Sequence, residues 1–204
     1  YYGDKEATSR VLTSDGWLRS GDTGYLDAKG HLTVIDRVGN VLTLADGSGF
    51  SAQLIENSLR FSPFIAEALV TGGGPSPLVA LIGINSRVVG KWAGDYKLSY
   101  KTFTDLTAKK EIVDLIAGEV ARVNQNLPES ARICRFAIIY KELDADEGEL
   151  TRTGKMRRET VASIYAELLS ALHAGHDKVD VDTSIVFPDG KIGHIQTTVT
   201  IRST

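Results

Sequence analysis

A lysine stands among other cations in the stretch Glu149–Glu159, which reads E-L-T-R-T-G-K-M-R-R-E. Lys155 follows a glycine directly, and Arg152, Arg157 and Arg158 lie within three residues of it. Because like charges repel at this spacing, the run favours the arrival of a polyanion. The compact ammonium of a lysine suits a phosphate, or a carboxyl oxygen that gains charge during a reaction. The alternative interpretation is a solvated basic patch without a ligand.

Two further motifs could contact a nucleotide. Asp22 lies between two glycines on a predicted turn, where a carboxylate can accept hydrogen bonds from both hydroxyls of a ribose at once. Arg37 follows Asp36 at the end of a predicted strand, and its guanidinium fork could reach a phosphate or ribose oxygen. Each motif also has an ordinary interpretation: a plain turn for the first and a weak surface ion pair for the second.

Two glycine-containing segments could move or bind a ligand. Gly39 follows the Asp36–Arg37 pair and either serves as a hinge, by absorbing a large change in φ and ψ, or forms a simple turn. A loop precedes a predicted helix and could present its backbone N–H groups to an anion or to a close-lying ligand; it contains Gly47, Ser48 and Gly49. The sequence has neither a P-loop nor a dinucleotide-binding fingerprint.

The spacing of the histidines does not indicate a metal site. Of the four histidines, only His173 and His176 are three residues apart, and no carboxylates stand at matching positions. We therefore expect no metal-binding residues in this chain.

The composition excludes several classes of protein. The 204 residues are 42% hydrophobic and 24% charged, which is ordinary for one large or two small globular domains. A net charge of −3 does not favour nucleic acid or an anionic membrane, and no apolar run approaches the ~20 residues of a membrane span. The single Cys134 excludes an internal disulfide and lies in a predicted buried strand, so we predict an inert core thiol in a cytoplasmic protein. The missing initial methionine suggests a piece of a longer protein.

Hydrophobic patterning predicts an α+β fold that positions these motifs. A short helix and a β meander come first, a helix capped by Ser51 follows the glycine loop, and a β-hairpin turns at Pro188–Gly190 near the end of the chain. The longer predicted elements are strands at residues 65–70, 78–84 and 135–140, helices at 109–127 and 159–172, and the two arms of the hairpin between 179 and 201.

Together, and in this order and spacing, the four motifs resemble the C-terminal part of the AMP-forming acyl-activating enzymes. This family includes acyl-CoA synthetases, peptide-synthetase adenylation domains and firefly luciferase. The chain is most similar to bacterial long-chain fatty-acid–CoA ligases, over roughly residues 1–172. The resemblance is carried by W-L-R-S-G-D-T-G through Asp36–Arg37, by the glycine loop, and by Leu150–Arg158.

The resemblance implies a role for each motif. Asp22 would bind the ribose hydroxyls of ATP or AMP, and Arg37 would contact the nucleotide beside it. Gly39 falls at the hinge position. Lys155 would meet the incoming carboxylate and the α-phosphate. The CoA-side loop, which meets the pantetheine arm of CoA, would contain Gly47, Ser48 and Gly49.

The reaction implied by the resemblance has two halves. A fatty acid or other carboxylate and ATP, with Mg²⁺, give acyl-AMP and pyrophosphate. The C-terminal domain then rotates about the hinge, and the CoA thiol attacks to give acyl-CoA and AMP. ATP, Mg²⁺ and CoA are thus the expected cofactors of the full-length enzyme, and we expect none to be tightly bound by this fragment.

The same resemblance implies that the chain is divided into three parts. Residues 1–38 would be the end of the large N-terminal adenylation domain, and 39–172 the mobile lid, a small mixed sheet flanked by helices. Residues 173–204 would be a linker and a β-hairpin extension. The missing N-terminal domain would be the main partner, and the fragment alone would be inactive.

Some positions depart from the family pattern. Gly39 stands where lysine or aspartate is usual, Ser48–Gly49 where a basic or amide residue is usual, and Ala52 where proline is common. The departures leave two alternatives open. One is a non-catalytic binding or regulatory module of the same fold, and the other is an adenylation domain that charges a carrier protein instead of CoA.

Overall fold

The first part of the chain is a helix followed by a two-stranded ribbon. The computed structural model describes residues 1–44, 46–186 and 192–204. Helix α1, Lys5–Val11, begins where the Asp4 carboxylate accepts a hydrogen bond from the backbone of the first turn. Strands β1, Asp22–Leu26, and β2, Leu32–Arg37, pair antiparallel. Their register places Asp22 opposite Arg37, so the two residues predicted to bind a nucleotide lie side by side at one end of the ribbon.

A short irregular segment leads from the ribbon to the first long helix. Val38–Asn40 form a 3₁₀ turn that contains Gly39. Strands β3, Val41–Thr43, and β4, Gly49–Ser51, then pair around the glycine loop. Helix α2, Ala52–Arg60, follows, and Ser51 caps it as predicted, because its Oγ accepts a hydrogen bond from the N–H of Leu54 at 3.1 Å.

A five-stranded mixed sheet forms the centre of the fold, with strand order β5-β6-β7-β9-β8. Strands β6 and β7 are parallel and the other neighbouring pairs are antiparallel. A parallel pair requires a long crossover connection, and here helices α3 to α5 supply it. The strands are β5 Ile65–Gly73, β6 Ser76–Ile84, β7 Ile133–Ile138, β8 Lys178–Val186 and β9 Ile192–Ser203, and the crossover helices are α3 Ser86–Asp95, α4 Phe103–Ala108 and α5 Lys110–Asn124.

Helices cover both faces of this sheet, which confirms the predicted α+β class. Helices α2 and α5 contribute to one apolar core, and α5 presents its buried residues along a helical stripe as its 3.6-residue period predicts. A second core packs the helices near the C-terminus against the other side of the sheet and the hairpin. No helix among the described residues is both long and apolar enough to cross a bilayer.

The single helix predicted at residues 159–172 is wrong in one respect, because the structure has two helices there. Helix α6 covers Arg158–Ile164 and helix α7 covers Ala166–Ala174. At Tyr165 the backbone leaves the helical region, with φ −101° and ψ 25°. The side chain of Tyr165 is 2% exposed and its hydroxyl donates to a buried carboxylate, so a tertiary contact accompanies the break.

The C-terminal hairpin is confirmed and belongs to the main sheet. Strands β8 and β9 pair along their length, and β9 also pairs with β7 at Arg135–Ala137. The predicted turn at Pro188–Gly190 lies outside the described residues. The prediction of a buried thiol is wrong, because Cys134 is exposed. It is the second residue of β7, and its carbonyl oxygen accepts a hydrogen bond from the N–H of Thr204 at 3.1 Å.

Candidate functional site

Lys155 lies on a tight turn that a short β-bridge closes. Leu150 and Met156 form the bridge, and the N–H of Thr151 donates to the carbonyl oxygen of Lys155 at 2.8 Å. The Thr151 hydroxyl accepts from the N–H of Lys155 at 3.0 Å. Gly154 adopts φ +76°, a conformation that disfavours other residues and is required by this turn. The turn therefore has a defined shape, and the exposed Lys155 stands at its C-terminal end, opposite Thr151.

A cleft of about 240 Å³ opens beside Lys155. Lys155 shares its wall with Asn40, which follows Gly39 directly, and with residues of α2 and β5. Two carboxylates also line it. Burial is the largest influence on both and raises the pKa of Glu56 and of Glu67. A larger cleft of about 710 Å³ lies between α4, the acidic loop of residues 142–148 and β9, and none of the predicted site residues lines it.

Only part of the cationic run around Lys155 is available to a ligand. The guanidinium of Arg158 pairs with Glu56 and donates to the carbonyl oxygen of Val70 at 2.8 Å. This contact is internal to the fold, so Arg158 does not contribute to the predicted anion-attracting surface. Arg152 and Arg157 are exposed and pair with no acidic group among the described residues. Lys155 is thus accompanied by two cations rather than three.

Asp22 and Arg37 form an accessible ion pair at the end of the β1–β2 ribbon. The Nε of Arg37 lies 3.1 Å from Oδ1 of Asp22, and its Nη1 donates to the carbonyl oxygen of Ser20 at 2.9 Å. About two-thirds of the Arg37 side chain and one-third of the Asp22 side chain are exposed. The carboxylate therefore keeps acceptor positions that a ribose diol could use without a rearrangement of the ribbon.

Gly39 has a conformation that any residue could adopt. Its φ is not positive, and a methyl group in place of its hydrogen would meet no atom within 4 Å. The present arrangement therefore does not require glycine at this position. A hinge that adopts a second conformation would provide a reason for it.

The predicted CoA-side loop is exposed, and a hydrogen bond within the loop fixes its shape. Gly47 has φ +81°, and the N–H of Ser48 donates to Asp46 Oδ1 at 2.9 Å. The hydrogen bonds from Ser48 lower the pKa of Asp46, so a negative charge lies inside the loop. That charge argues against the anion-cradling interpretation and is compatible with a neutral ligand arm. Gly49 begins β4, where a Cβ would lie 3.1 Å from Val41 Cγ1.

The structure brings the predicted residues together only in part. Lys155 lies in one cleft with Asn40, next to the hinge position, whereas the Asp22–Arg37 pair and the glycine loop are not in the lining of that cleft. Among the described residues, no three His, Cys, Asp or Glu side chains form a group that could hold a metal ion. Sequence reasoning missed Glu56 and Glu149. Their partners are distant in the sequence, since Arg158 lies 102 positions from Glu56 and Tyr165 lies 16 positions from Glu149, so no local signal indicated either residue.

Comparisons with known proteins identify the family to which this chain is similar. A sequence profile of the AMP-binding enzyme C-terminal domain matches residues 39–177. The long-chain-fatty-acid–CoA ligase FadD15 of Mycobacterium tuberculosis is 29% identical over 174 residues, which cover 85% of this chain and 29% of that protein. The peroxisomal long chain acyl-CoA synthetase 7 of Arabidopsis thaliana is 28% identical and is covered to 25% of its length. This chain therefore spans less than a third of these relatives.

A solved structure shares the arrangement of helices and strands. The adenylation domain of a carboxylate reductase from Mycobacterium chelonae superposes with a TM-score of 0.67 at 25% identity. The match covers 85% of the chain described here and 26% of that domain's chain. The structural similarity thus extends over most of the chain.

Proposed function

The chain belongs to the AMP-binding enzyme C-terminal domain family, and from that premise we propose that it is the C-terminal part of an ATP-dependent, AMP-forming acyl-CoA synthetase that acts on fatty acids. Membership confirms the resemblance to the adenylate-forming enzymes that the sequence motifs predicted. The names of the relatives, a long-chain-fatty-acid–CoA ligase and a long chain acyl-CoA synthetase, support the fatty-acid substrate.

One observation carries this proposal: an exposed lysine on a defined turn shares a cleft with the residue next to the hinge position. Rotation about Gly39 would carry Lys155 toward the preceding domain or away from it. In the inward position, the Lys155 ammonium would donate hydrogen bonds to the carboxylate and the α-phosphate as negative charge develops between them. In the outward position, Lys155 would leave room for the thiol.

The remaining motifs would bind the substrates. The Asp22 carboxylate would accept hydrogen bonds from the ribose hydroxyls, and the Arg37 guanidinium would contact the nucleotide once part of its pairing with Asp22 is released. The loop of Gly47, Ser48 and Gly49 would lie along the pantetheine arm of CoA. Mg²⁺ would enter with ATP, since the described part of this chain offers no metal-binding cluster of its own.

The missing N-terminal domain would be the main partner. The β1–β2 ribbon carries exposed apolar side chains on both of its faces, an arrangement that normally requires a covering surface; they are Tyr25, Leu26, Leu32 and Val34. We assign residues 1–38 to that domain, residues 39–172 to the lid and residues 173–204 to a linker and a hairpin extension that continues the lid's sheet through the pairing of β9 with β7. The fragment alone would be inactive. The free thiol of Cys134 is compatible with the reducing cytoplasm, where we place the enzyme.

A second candidate is an adenylation domain that transfers the acyl group to a carrier protein. The similarity to the carboxylate reductase adenylation domain favours it, as does the absence of a basic residue after Gly47. The two candidates differ in the acceptor. Thioester formation with free CoA would identify an acyl-CoA synthetase, whereas turnover only with a carrier protein would identify the second candidate.

The experiment that tests the shared first step uses this chain joined to its N-terminal domain. Lys155→Ala should reduce fatty-acid-dependent exchange of ATP and pyrophosphate by about 100- to 1000-fold, because it removes the group that stabilises the transition state. Lys178→Ala, which removes another exposed lysine at the start of β8, is the matched control and should have no effect. Equal, measurable exchange by Lys155→Ala and wild type would contradict the catalytic role of Lys155, whereas no exchange by the wild type would favour a non-catalytic module of the same fold.

A further inference from the structure

Glu149 is a carboxylate with no exposure to solvent, and both of its oxygens are hydrogen-bonded. Oε2 accepts from Lys141 Nζ at 2.6 Å and from the N–H of Asp144 at 2.9 Å. Oε1 accepts from the hydroxyl of Tyr165 at 3.1 Å. A buried charge is costly unless it is paired and fully hydrogen-bonded. The three donors provide that environment, so Glu149 has a specific structural task.

The three donors come from separate parts of the fold. Lys141 follows β7, Asp144 lies in the acidic loop, and Tyr165 forms the break between α6 and α7. Burial and then the nearby Glu149 carboxylate raise the pKa of Tyr165, so its hydroxyl remains a neutral donor. Lys141 is only 12% exposed and also pairs with Glu147 at 2.7 Å. Glu149 thus connects the end of the sheet, the loop and the helix pair.

The backbone of Glu149 closes the segment that carries Lys155. Its carbonyl oxygen accepts from the N–H of Arg157 at 2.8 Å, and its own N–H donates to the carbonyl oxygen of Asp144 at 3.0 Å. The Leu150–Met156 bridge and the Lys155 turn follow immediately. Both ends of the turn are therefore fixed at Glu149, and the carboxylate fixes Glu149 itself to the rest of the fold.

Lys155 has no such anchor of its own. Its side chain is exposed and pairs with no carboxylate in the described part of the chain, so the direction of the ammonium depends on the turn beneath it. We propose that Glu149, through Lys141 and Tyr165, is a positioning residue that holds the Lys155 turn in the geometry needed for adenylation. The proposal rests on the function proposed above and extends it to a residue that does not contact the substrates.

The first test compares the two half-reactions in the full-length enzyme. Glu149→Gln should lower ATP–pyrophosphate exchange by about 10- to 100-fold, the scale expected for a catalytic group displaced by about 1 Å. The KM for ATP should stay within about twofold, because the nucleotide-binding residues are elsewhere. Conversion of supplied acyl-adenylate and CoA to acyl-CoA should be unchanged, since Lys155 has no role in it. Equal loss in both half-reactions would overturn the proposal in favour of a general loss of folded protein.

Glu147→Gln is the matched control. Glu147 also pairs with Lys141 but is 28% exposed, and Lys141 is the only group with which its carboxylate forms an ion pair in the described residues. Both half-reactions should remain at the wild-type rate in this variant. If Glu149→Gln does not fold, Tyr165→Phe tests the proposal instead, because it removes the hydroxyl that donates to Glu149 and keeps the buried ring. A selective decrease in adenylation by Tyr165→Phe supports the proposal, and unchanged adenylation overturns it.

The second test is independent of activity and uses the 204-residue chain. Backbone amide hydrogen exchange at Gly154, Lys155 and Arg157 should be about tenfold faster in Glu149→Gln than in wild type, while exchange in α5 stays the same. Unchanged protection of these three amides would overturn the positioning role whatever the enzyme does. If wild-type full-length enzyme shows no adenylation but the exchange result holds, the proposed function fails while the anchoring of the turn stands.

Discussion

A hydrogen bond joins Asp36, which precedes Gly39 in the sequence, to Ser51, which follows it. The hydroxyl of Ser51, at the start of α2, donates to Asp36 Oδ2 near the end of β2. The other oxygen of Asp36 accepts from Asn40 Nδ2 at 2.9 Å and from the N–H of Arg37 at 2.7 Å. Burial favours the neutral acid, but the hydrogen bonds outweigh it and lower the pKa of Asp36. One carboxylate therefore stabilises the present arrangement of the segment around Gly39, the predicted hinge.

The first prediction concerns Ser51. Ser51→Ala removes the cap of α2 and leaves Asp36 Oδ2 without its donor, so we expect a loss of about 1–3 kcal/mol in the free energy of unfolding of the chain. Urea denaturation followed by circular dichroism measures this loss. Ser58→Ala is the control, because Ser58 is on the same helix and its hydroxyl is exposed. A Ser51→Ala variant as stable as Ser58→Ala would contradict the prediction.

The second prediction is the pH dependence of the Asp36 contribution. The pKa of Asp36 in the folded chain is below the usual value of an aspartate, so the ionised carboxylate favours folding. This stabilisation is complete above the unfolded pKa and is lost as the pH falls through the folded pKa. The difference in unfolding free energy between wild type and Asp36→Asn should therefore be constant near pH 7 and should shrink below about pH 4. A difference that grows toward acid pH would be inconsistent with a lowered pKa.

Features that depend on neighbours in the sequence could be predicted from it. Ser51 is a helix cap because of its own hydroxyl and the three residues after it, and the hairpin follows from alternating apolar residues. In contrast, Arg158 pairs with Glu56 across 102 positions, and nothing local distinguishes it from a solvated arginine. The helix break at Tyr165 likewise depends on a distant carboxylate, since the periodicity of residues 159–172 is continuous.

The third prediction concerns the buried pair of Arg158 and Glu56. Arg158→Met would leave Glu56 buried without its cation, so we expect a loss of about 2–4 kcal/mol in unfolding free energy at pH 7.5. The loss should be smaller than for a fully buried pair, because Arg158 is partly exposed. Arg60→Met is the matched control. Arg60 pairs with Glu67 at 3.4 Å and is nearly half exposed, so its loss should cost less than about 1 kcal/mol.

The Arg158→Met deficit should also shrink toward acid pH, but at a higher pH than the Asp36→Asn difference, because the pKa of Glu56 is raised whereas that of Asp36 is lowered. Burial, opposed by Arg158 and the Val70 N–H, already raises the pKa of Glu56 above its usual value in the folded chain. Without Arg158 the pKa should rise further, so the deficit should shrink as the pH falls through that raised pKa and Glu56 becomes neutral. The double variant Glu56→Gln, Arg158→Met should recover part of the stability at pH 7.5. Urea denaturation at pH 7.5 and 5.5 would measure both effects, and a deficit independent of pH and of residue 56 would contradict the charge argument.

The fourth prediction tests Asp22 as the ribose ligand. Asp22→Asn keeps the shape of the side chain but loses a charged acceptor, so AMP should bind the full-length enzyme about 10- to 100-fold more weakly, as expected for a charge-assisted hydrogen bond of about 1.5–3 kcal/mol. Asp27→Asn is the control. Asp27 lies at the opposite end of the ribbon, where its carboxylate accepts hydrogen bonds from the N–H groups of Lys29 and His31. Isothermal titration calorimetry gives the dissociation constant of each variant. Since Asp22→Asn also weakens the pairing with Arg37, 2′,3′-dideoxy-AMP separates the two causes: it should bind Asp22→Asn and wild type with similar affinity if the carboxylate contacts the hydroxyls. If the dideoxy compound instead showed the same loss as AMP, the ribose assignment would be wrong and the effect would lie with Arg37.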